Sequence, residues 1–454
     1  MFSPLFSSLF VSSILTIADV DANPLPSRPT GFSVPIKRYF HQKPPVNTST
    51  LPTCDVLPII HECEGLVHKY RNVDENFNNG IGFGPIFDPG EIVKTEAEEP
   101  FIPPVLSAPK KGEAVPLQDY VSENTDMLYY GSMKVGTPGQ ELTVDIDTGS
   151  ADLWFPSDCM ECVNREFVPS MSSTYNDSDE SFTVSYGSGA VSGKLVQDVV
   201  SIAGLTVPSQ SFGIVSEASG DFNDLPNDGL LGLAFGSIAQ SKKPTFFESL
   251  IAGGQVSPLF SIHFARRPAD HGHDDSEMCF GCMNPLKMLG PAKWLPVLTQ
   301  AYWSVSMEAL ILKVNTDQDL RFPTRLRAII DTGTTFIYLP RTVVSEFYTV
   351  IPGSKRVSQN EFEFYTFPCS TVLGIDLMFS NHRFSINLAD FNLGMVERDS
   401  LDCVGGILPL SDDFPPDVAI IGDEFLKSWY TVFDYTGGPN GGARVGFARS
   451  INQH

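Results

Sequence analysis

A strand that runs into an Asp-Thr-Gly turn occurs twice in this chain. Residues 142–150 read LTVDIDTGS, and apolar and polar side chains alternate along them as far as Asp147. A period of two is typical of a β-strand with one face toward a core, so the apolar residues are predicted to be buried and the carboxylate to stand at the strand tip. Residues 328–335 read AIIDTGTT and place Asp331 in the same setting.

Each Asp-Thr-Gly turn is followed by a second matching motif. The triplet Leu-Leu-Gly ends at Gly232 and the triplet Ile-Ile-Gly ends at Gly422, at similar distances after the two aspartates. An internal repeat of about 180 residues indicates two similar lobes related by an approximate twofold axis. Such lobes would bring Asp147 and Asp331 face to face. The short strands and frequent turns between the motifs predict an all-β chain.

These motifs resemble those of the pepsin-like aspartic proteases, fungal members in particular. The resemblance runs from about Tyr120 to Ala448 and includes Trp154, the flap-like SYGSG of residues 185–189 and the YTVFD of residues 430–434. It implies an all-β, bilobal pepsin-like fold with pseudo-twofold related lobes and a few short helices. It also implies an endopeptidase that acts on protein or peptide substrates at acidic pH, without a cofactor or metal.

The resemblance implies roles for individual residues. Asp147 and Asp331 would be the catalytic pair, which shares one proton and activates a water for attack on the peptide carbonyl. The residues implied to bind substrate are Asp145, Gly149, Tyr186, Gly187, Ser188, Gly333 and Thr334. The residues implied to support the site are Thr148, Ser150, Trp154 and Thr332, with Tyr186 closing over the substrate and bonding to Trp154.

Asp145 breaks the symmetry between the two halves, because Ile329 holds the corresponding position two residues before Asp331. Some fungal relatives also carry an acid there. Relatives that accept Lys beside the scissile bond carry a further acid on the flap, where this chain has Ser188. We therefore predict a preference for bulky apolar residues around the scissile bond, with only weak tolerance of basic ones.

Two other functional classes compete with a protease. A glycosidase also uses two carboxylates, but it does not require duplicated Asp-Thr-Gly turns or a flap tyrosine. A non-catalytic binding protein on the same fold would be expected to have lost one aspartate or the flap. Both aspartates and the flap motif are present in this chain.

The net charge of −24 argues against nucleic acid as a partner, because such a surface repels phosphates.

A short apolar run followed by small residues predicts a signal peptide over residues 1–22. We therefore expect a secreted protein, or alternatively one held in an acidic vacuole or lysosome-like compartment. Secretion would make Asn47 and Asn176 possible glycan acceptors. No other apolar run is long enough for a membrane anchor, and we expect a monomer.

Residues 23–111 are rich in proline and predict a prosegment, followed by an N-terminal lobe over 112–297 and a C-terminal lobe over 298–454. Basic residues outnumber acidic ones two to one between positions 23 and 71, so this segment could block an acidic cleft. Lys69 and Tyr70 resemble the Lys-Tyr pair with which related prosegments occupy the active site. Lys110 and Lys111 form a plausible processing site.

The eight cysteines become disulfide candidates if the chain is secreted. The resemblance implies two disulfides, Cys159–Cys162 and Cys369–Cys403. Sequence alone does not decide how the other four pair. Our expectation is that the two prosegment cysteines bond to each other; a bond to the Cys-x-x-Cys later in the chain is the alternative. These four residues are Cys54, Cys63, Cys279 and Cys282. Zinc is disfavoured, since the two Cys-x-x-Cys pairs lie far apart in sequence.

Two helices are predicted among the strands. Residues 245–252 are bounded by a proline and a glycine, and apolar residues between 343 and 351 recur at helical spacing. Both segments lie outside the repeated motifs.

Overall fold

A computed structural model of the chain describes residues 51–79, 112–122, 125–160, 162–186, 189–218, 225–266, 276–316, 318–359, 362–438 and 441–452. All of these lie in one compact unit. Several predictions fall outside the described residues. They are the signal peptide, the glycan acceptor Asn47, the dibasic site at Lys110 and Lys111, and the flap residues Gly187 and Ser188.

The described part of the predicted prosegment is helical, which its weak periodicity did not predict. Helix α1 covers Leu57–Lys69 and helix α2 covers Val73–Asn79. The Asp55 carboxylate accepts a hydrogen bond of 3.0 Å from the Leu57 backbone N–H, which satisfies one of the free donors at the start of α1. Ile59, Ile60 and Leu66 of α1 are buried against side chains from residues 301–420, so tertiary packing stabilises the helix, although Leu57 is exposed.

The first half of the remaining chain is built from short strands and one capped helix. In order along the described residues these are β1 (Glu113–Pro116), β2 (Gln118–Ser122), β3 (Thr125–Val135), β4 (Gln140–Asp147), β5 (Leu153–Pro156), β6 (Asn176–Tyr186), β7 (Gly189–Ile202), β8 (Leu205–Ala218), β9 (Gly229–Gly232), α3 (Phe246–Ala252), β10 (Leu259–His263), β11 (Glu277–Phe280) and β12 (Met288–Pro296). Helix α3 begins at a capping box, in which the Thr245 hydroxyl accepts from the Glu248 N–H and the Glu248 carboxylate accepts from the Thr245 N–H, both at 3.1 Å.

The second half repeats this pattern with three further short helices. Its described elements are β13 (Ser304–Val314), β14 (Leu320–Ile330), β15 (Ile337–Leu339), α4 (Arg341–Thr349), β16 (Lys355–Gln359), β17 (Phe362–Pro368), β18 (Leu373–Phe379), β19 (His382–Ile386), α5 (Leu388–Phe391), β20 (Asn392–Met395), β21 (Asp402–Gly405), β22 (Ile407–Pro409), β23 (Val418–Ile421), α6 (Asp423–Leu426), β24 (Trp429–Asp434) and β25 (Arg444–Ser450). The predicted helices correspond to α3 and α4 and are confirmed.

The strands of the described residues form four sheets. An eight-stranded sheet of order β2-β3-β4-β9-β5-β8-β7-β6 builds the first half, and a seven-stranded sheet of order β19-β18-β13-β14-β23-β15-β22 builds the second. A six-stranded sheet, β1-β11-β10-β24-β25-β12, joins strands from both halves. A four-stranded sheet, β16-β17-β21-β20, completes the second half. The prediction of an all-β, bilobal pepsin-like fold is confirmed.

The duplicated sequence motifs fold into duplicated local structures. Strand β4 lies parallel to β9, with Asp147 opposite Gly232. Strand β14 lies parallel to β23, with Ile330 opposite Ile421. Each apolar-apolar-Gly triplet is therefore the hydrogen-bonded neighbour of an aspartate-bearing strand. The apolar residues of β4 are fully buried, as its alternation predicts.

Three disulfides are present, and one cysteine expectation is wrong. Disulfides join Cys159 to Cys162, Cys369 to Cys403, and Cys279 to Cys282. The two prosegment cysteines are free thiols rather than a pair with each other, and the alternative bond to the later Cys-x-x-Cys is excluded by the bond within that motif. The reason is that their surroundings differ. Cys54 precedes α1 with its backbone bonded to Met395, whereas the Cys63 thiol, within α1, lies 3.9 Å from the carbonyl of Pro409.

Candidate active site

The two Asp-Thr-Gly turns are joined by their threonines. The Thr148 N–H donates to the Thr332 hydroxyl at 3.1 Å, and the Thr332 N–H donates to the Thr148 hydroxyl at 3.0 Å. Each hydroxyl also donates across to the opposite strand, Thr148 to the carbonyl of Ile330 at 2.8 Å and Thr332 to that of Ile146 at 2.6 Å. Because both threonines are buried, these bonds are shielded from water and fix the two turns against each other.

The two carboxylates are held by matching donors from their own turns. Asp147 accepts from the Gly149 N–H at 2.8 Å and from the Ser150 hydroxyl at 2.6 Å. Asp331 accepts from the Gly333 N–H at 3.0 Å and from the hydroxyl of Thr334. The two side chains are buried, with exposed fractions of 1% and 0%. Hydrogen bonds to the ionised form stabilise a carboxylate that burial would otherwise neutralise.

Glycine is required in both turns because the opposite carboxylate lies so close. A Cβ atom added to Gly149 would lie 2.5 Å from Oδ1 of Asp331 and 2.5 Å from the Tyr70 hydroxyl. A Cβ added to Gly333 would collide with the Asp147 carboxylate in the same way. Any larger residue would therefore push the two acids apart.

A lysine and a tyrosine of the prosegment lie on this pair of acids. The Lys69 ammonium lies 2.9 Å from Oδ1 of Asp147 and 2.9 Å from Oδ2 of Asp331, and 3.3 Å from the Gly333 carbonyl. The Tyr70 hydroxyl donates to Oδ2 of Asp331 at 2.7 Å. Since one nitrogen contacts both carboxylates, the two acids are close enough to be bridged by a single small group.

The electrostatics of the pair are dominated by burial and by Lys69. Burial raises the pKa of Asp147, against the opposing effect of the Lys69 charge. Burial alone would also raise the pKa of Asp331, but the lysine together with hydrogen bonds from Asp147 and Thr334 holds it at about 2. Burial would lower the pKa of Lys69, yet the two carboxylates raise it above its ordinary value. The pair therefore titrates in two separated steps, and Asp331 is the ionised member while the lysine is bound.

Asp145, on strand β4 two residues before Asp147, does not behave as an exposed charge. Its Oδ1 atom is buried and accepts no hydrogen bond from the described residues. Burial, with a further contribution from Asp147, raises its pKa well above the ordinary carboxylate value. Burial therefore favours the neutral form of this additional acid.

The hairpin of β6 and β7 covers the site, and we call it the flap. Tyr186, at the end of β6, is 3% exposed, and its ring centroid lies 6.2 Å from that of Trp154. The adjacent Ser185 hydroxyl accepts a hydrogen bond of 3.3 Å from Arg71 of the prosegment. An opening remains beside Gly149 and Ser150, and residues of both the flap and the predicted prosegment line it.

Two buried carboxylates near the pair were missed by the sequence interpretation. Glu62 of α1 accepts from the backbone N–H groups of Thr335 and Phe336 at 3.0 and 3.2 Å, and burial raises its pKa. Asp423 is fully buried, neither of its carboxylate oxygens accepts a hydrogen bond from the described residues, and burial raises its pKa strongly. The sequence contained a signal for Asp423, because this acid directly follows Gly422, whereas the apolar Leu233 holds the corresponding position in the first repeat.

The described residues contain no cluster of three or more histidines, cysteines, aspartates and glutamates with the geometry of a metal site. Both Cys-x-x-Cys pairs are disulfides, so their thiolates are not available as zinc ligands. Among the helices of the described ranges, none has both the length and the apolar character needed to cross a membrane.

Comparison with known proteins places this geometry in a family. The family model of the eukaryotic aspartyl proteases matches residues 128–450. An aspartic protease of Phaffia rhodozyma is 36% identical over 337 residues, which are 72% of this chain and 78% of that protein. Major aspartyl peptidase 1 of Cryptococcus neoformans is 33% identical over 343 residues, 72% of this chain and 69% of the relative. Cathepsin D of Dictyostelium discoideum is 31% identical over 358 residues, 76% and 88% of the two chains.

The family match covers both Asp-Thr-Gly turns, the flap and both apolar-apolar-Gly triplets. Two of the relatives are fungal, in line with the resemblance seen in the sequence. The chain belongs to the eukaryotic aspartyl proteases and is a hydrolase of the pepsin-like type.

Proposed function

We propose that the chain is the zymogen of an aspartic endopeptidase that works at acidic pH. In this proposal residues 1–22 are a signal peptide, 23–111 the inhibitory prosegment, and 112–297 and 298–454 the two lobes of a mature, monomeric enzyme. The observation that carries the proposal is the Lys69 ammonium, which lies 2.9 Å from both Asp147 and Asp331 and so occupies the place that a catalytic water would need.

The proposed reaction uses the two acids as base and acid in turn. Once the prosegment has left, the ionised member of the pair takes a proton from a water bound by both carboxylates, and the resulting hydroxide attacks the peptide carbonyl carbon. The protonated member donates its proton to the carbonyl oxygen. Collapse of the tetrahedral intermediate breaks the C–N bond, and a proton passes to the leaving nitrogen. No bond between enzyme and substrate forms.

The surrounding residues are proposed to tune and cover this pair. The hydroxyls of Ser150 and Thr334 stabilise the ionised form, and the bonds between Thr148 and Thr332 keep the separation of the carboxylates fixed. The glycines leave room for substrate backbone. Tyr186 on the flap would close over a bound peptide and exclude water, together with the remaining flap residues Gly187 and Ser188.

Acid is proposed to release the prosegment because it removes the charge that Lys69 binds. Asp331 has a depressed pKa while the lysine is bound, so its ionisation stabilises docking above the ordinary carboxylate pKa, and this stabilisation is lost as the pH falls toward about 2. Protonation of the pair therefore weakens the docked state under the conditions in which a pair with one proton becomes available for catalysis.

The proposed specificity is for bulky apolar residues beside the scissile bond. The ring of Tyr70 packs with its centroid 5.4 Å from that of Tyr302 and 6.4 Å from that of Phe414 while its hydroxyl reaches Asp331. A substrate side chain of similar size could use the same aromatic surface. Because burial favours the neutral form of Asp145, this residue would give a basic side chain only weak attraction.

The proposed destination is the cell exterior, with an acidic vacuole or lysosome-like compartment as the alternative. Three disulfides favour a route through an oxidising compartment. Asn176, at the start of β6, is exposed and could carry a glycan on this route.

The test uses the purified full-length chain. Incubation at about pH 3, between the ordinary carboxylate pKa and the lowered pKa of Asp331, should shorten the chain, and N-terminal sequencing should place the new terminus after Arg71 and before Tyr120. A statine-type peptide should block both this conversion and cleavage of a fluorogenic peptide. Intact chain with no peptidase activity after acid treatment, alongside an active relative treated identically, would refute the proposal.

A further inference from the structure

The second helix of the prosegment binds one basic residue close to the active site. The Asp74 carboxylate of α2 lies 2.7 Å from the guanidinium of Arg327. The Arg327 guanidinium carbon lies 4.2 Å from the ring centroid of Phe77, one turn further along α2. Phe77 is 7% exposed, so the pair of side chains covers Arg327 with an acid on one side and an aromatic ring on the other.

Arg327 stands at a defined distance from the catalytic pair. It lies on β14 four residues before Asp331, which corresponds to roughly 13 Å along an extended strand. Its neighbours Leu326 and Ala328 are buried, whereas Arg327 is partly exposed on the opposite face. The ring of Tyr302 lies between the two places, 5.4 Å from Tyr70 at the acids and 5.6 Å from Phe77 at Arg327.

Removal of the prosegment would leave Arg327 with unused hydrogen-bonding capacity. Its Nη2 also contacts Asp417 of the same lobe at 2.7 Å, so one acidic partner stays. Its Nε donor is buried and bonds to no atom of the described residues. A guanidinium carries five N–H donors and commonly binds two carboxylates, so the partner that leaves with Asp74 can be replaced by another acid.

We propose that in the mature enzyme Arg327 binds an acidic side chain of the peptide substrate, roughly three or four residues from the scissile bond on the side of Tyr302. This proposal rests on the proposed peptidase function and adds a specificity determinant to it. The chain's own prosegment is the argument for the occupant: it runs from the catalytic acids past Tyr302 to Arg327, and it presents an aspartate there.

The alternative is that Arg327 is only a structural partner of Asp417. In that case Asp74 would add a contact to the docked prosegment, and the mature enzyme would be indifferent to acids in the substrate. The two possibilities differ in the Michaelis constants of matched substrates. Binding that is equal in the ground state and the transition state changes KM and leaves kcat unchanged.

The experiment uses mature enzyme and a set of peptides that share one apolar scissile pair and carry Asp or Asn at each position up to four residues away on either side. At about pH 5 the aspartate is ionised. At one position, Asp should lower KM about five- to tenfold relative to Asn, with kcat unchanged. Arg327→Gln should abolish this difference. Arg325→Gln is the matched control, since Arg325 is exposed on the same strand and should leave the preference intact.

A second measurement uses inhibition of the same two enzymes instead of turnover. A synthetic peptide of residues 57–79 should inhibit the mature enzyme, and Asp74→Asn in that peptide should raise its inhibition constant five- to tenfold toward wild-type enzyme but not toward R327Q. Equal KM values for Asp and Asn at every position, or a preference that survives in R327Q, would overturn the proposal. Failure to cleave any peptide, neutral ones included, would instead refute the proposed function itself.

Discussion

The contact between Lys69 and the Asp147–Asp331 pair allows a quantitative test of how the proposed prosegment is held. The Lys69 side chain is 6% exposed, and its ammonium bridges Asp147 and Asp331 at 2.9 Å each. Lys69→Met keeps the length and most of the apolar volume of the side chain but removes the charge. The substitution therefore isolates the electrostatic part of docking.

The magnitude follows from the pKa of Asp331. Docking holds that pKa at about 2 against an ordinary value of 3.8. The full shift would correspond to on the order of 2 kcal/mol, because each pKa unit is worth about 1.4 kcal/mol. Hydrogen bonds from Asp147 and Thr334 share in it, so the Lys69 contribution to the docking equilibrium is at most roughly 30-fold. Because docking lowers the pKa of Asp331, the ionised carboxylate stabilises the docked state at neutral pH, and this stabilisation disappears as the pH falls toward 2. Since the group is fully buried, solvent screening does not reduce the figure.

The assay measures access to the active site rather than catalysis. A fluorescent statine-type peptide competes with the prosegment of the intact zymogen, so its apparent Kd is the intrinsic Kd divided by the undocked fraction. At about pH 6.5 the K69M zymogen should bind the probe more tightly than wild type, by up to about 30-fold. The difference should shrink at about pH 3, where the wild-type contact is itself weakened.

Arg71→Gln provides the matched control for this experiment. Arg71 is exposed, two residues from Lys69, and its contact is a hydrogen bond of 3.3 Å to Ser185 on the flap. Loss of an exposed contact of this kind is worth at most about 1 kcal/mol, so R71Q should change the apparent Kd less than about fivefold. If K69M bound the probe no better than wild type at neutral pH, the ammonium would not be what holds the prosegment, and the reasoning would fail.

Three further outcomes are expected. Asp331→Asn should reduce kcat at least about 1,000-fold with little change in KM, since the pair then cannot divide the roles of acid and base; steady-state kinetics check this. Glu62→Ala should weaken docking by about 1–3 kcal/mol in the probe assay, because two buried N–H groups lose their acceptor. Replacing Cys369 and Cys403 together by serine should lower the free energy of unfolding by about 4 kcal/mol in denaturant titrations, as expected for a loop of 34 residues.

The sequence predicted those parts of the fold that have a local pattern or a repeated motif. The alternation of apolar residues up to Asp147 and the matching Leu-Leu-Gly and Ile-Ile-Gly triplets depend only on strand periodicity and on duplication. The structure pairs each triplet with its aspartate-bearing strand. The short strands and frequent turns predicted the all-β class. Helices α3 and α4 were predicted by other local signals, namely a bounding proline and glycine and apolar residues at helical spacing.

Features that depend on contacts between distant segments were not predictable in this way. The apolar residues of α1 form an incomplete stripe, so the sequence pattern did not predict this helix. Packing on the second half of the chain supplies part of its stability. Glu62 looks like one of three acids in a basic segment, and only the folded chain places it under two backbone N–H groups. The free thiols of Cys54 and Cys63 show the same limit, since the pairing of cysteines is decided by three-dimensional distance.

In the proposed zymogen, the stability of the ionised carboxylate determines both how tightly the prosegment is held and the pH range in which the pair is active. The oxygens that accept from Lys69 are those that would hold the water, and the hydroxyl of Thr334 stabilises the ionised Asp331 in both situations. A stronger stabilisation of that charge would tighten the prosegment and would also move the catalytic pH range downward. A weaker stabilisation would hold the prosegment less tightly and would move the catalytic pH range upward. In the proposed zymogen, the pH at which the prosegment leaves would therefore be coupled to the pH at which the pair holds one proton, without any separate sensor.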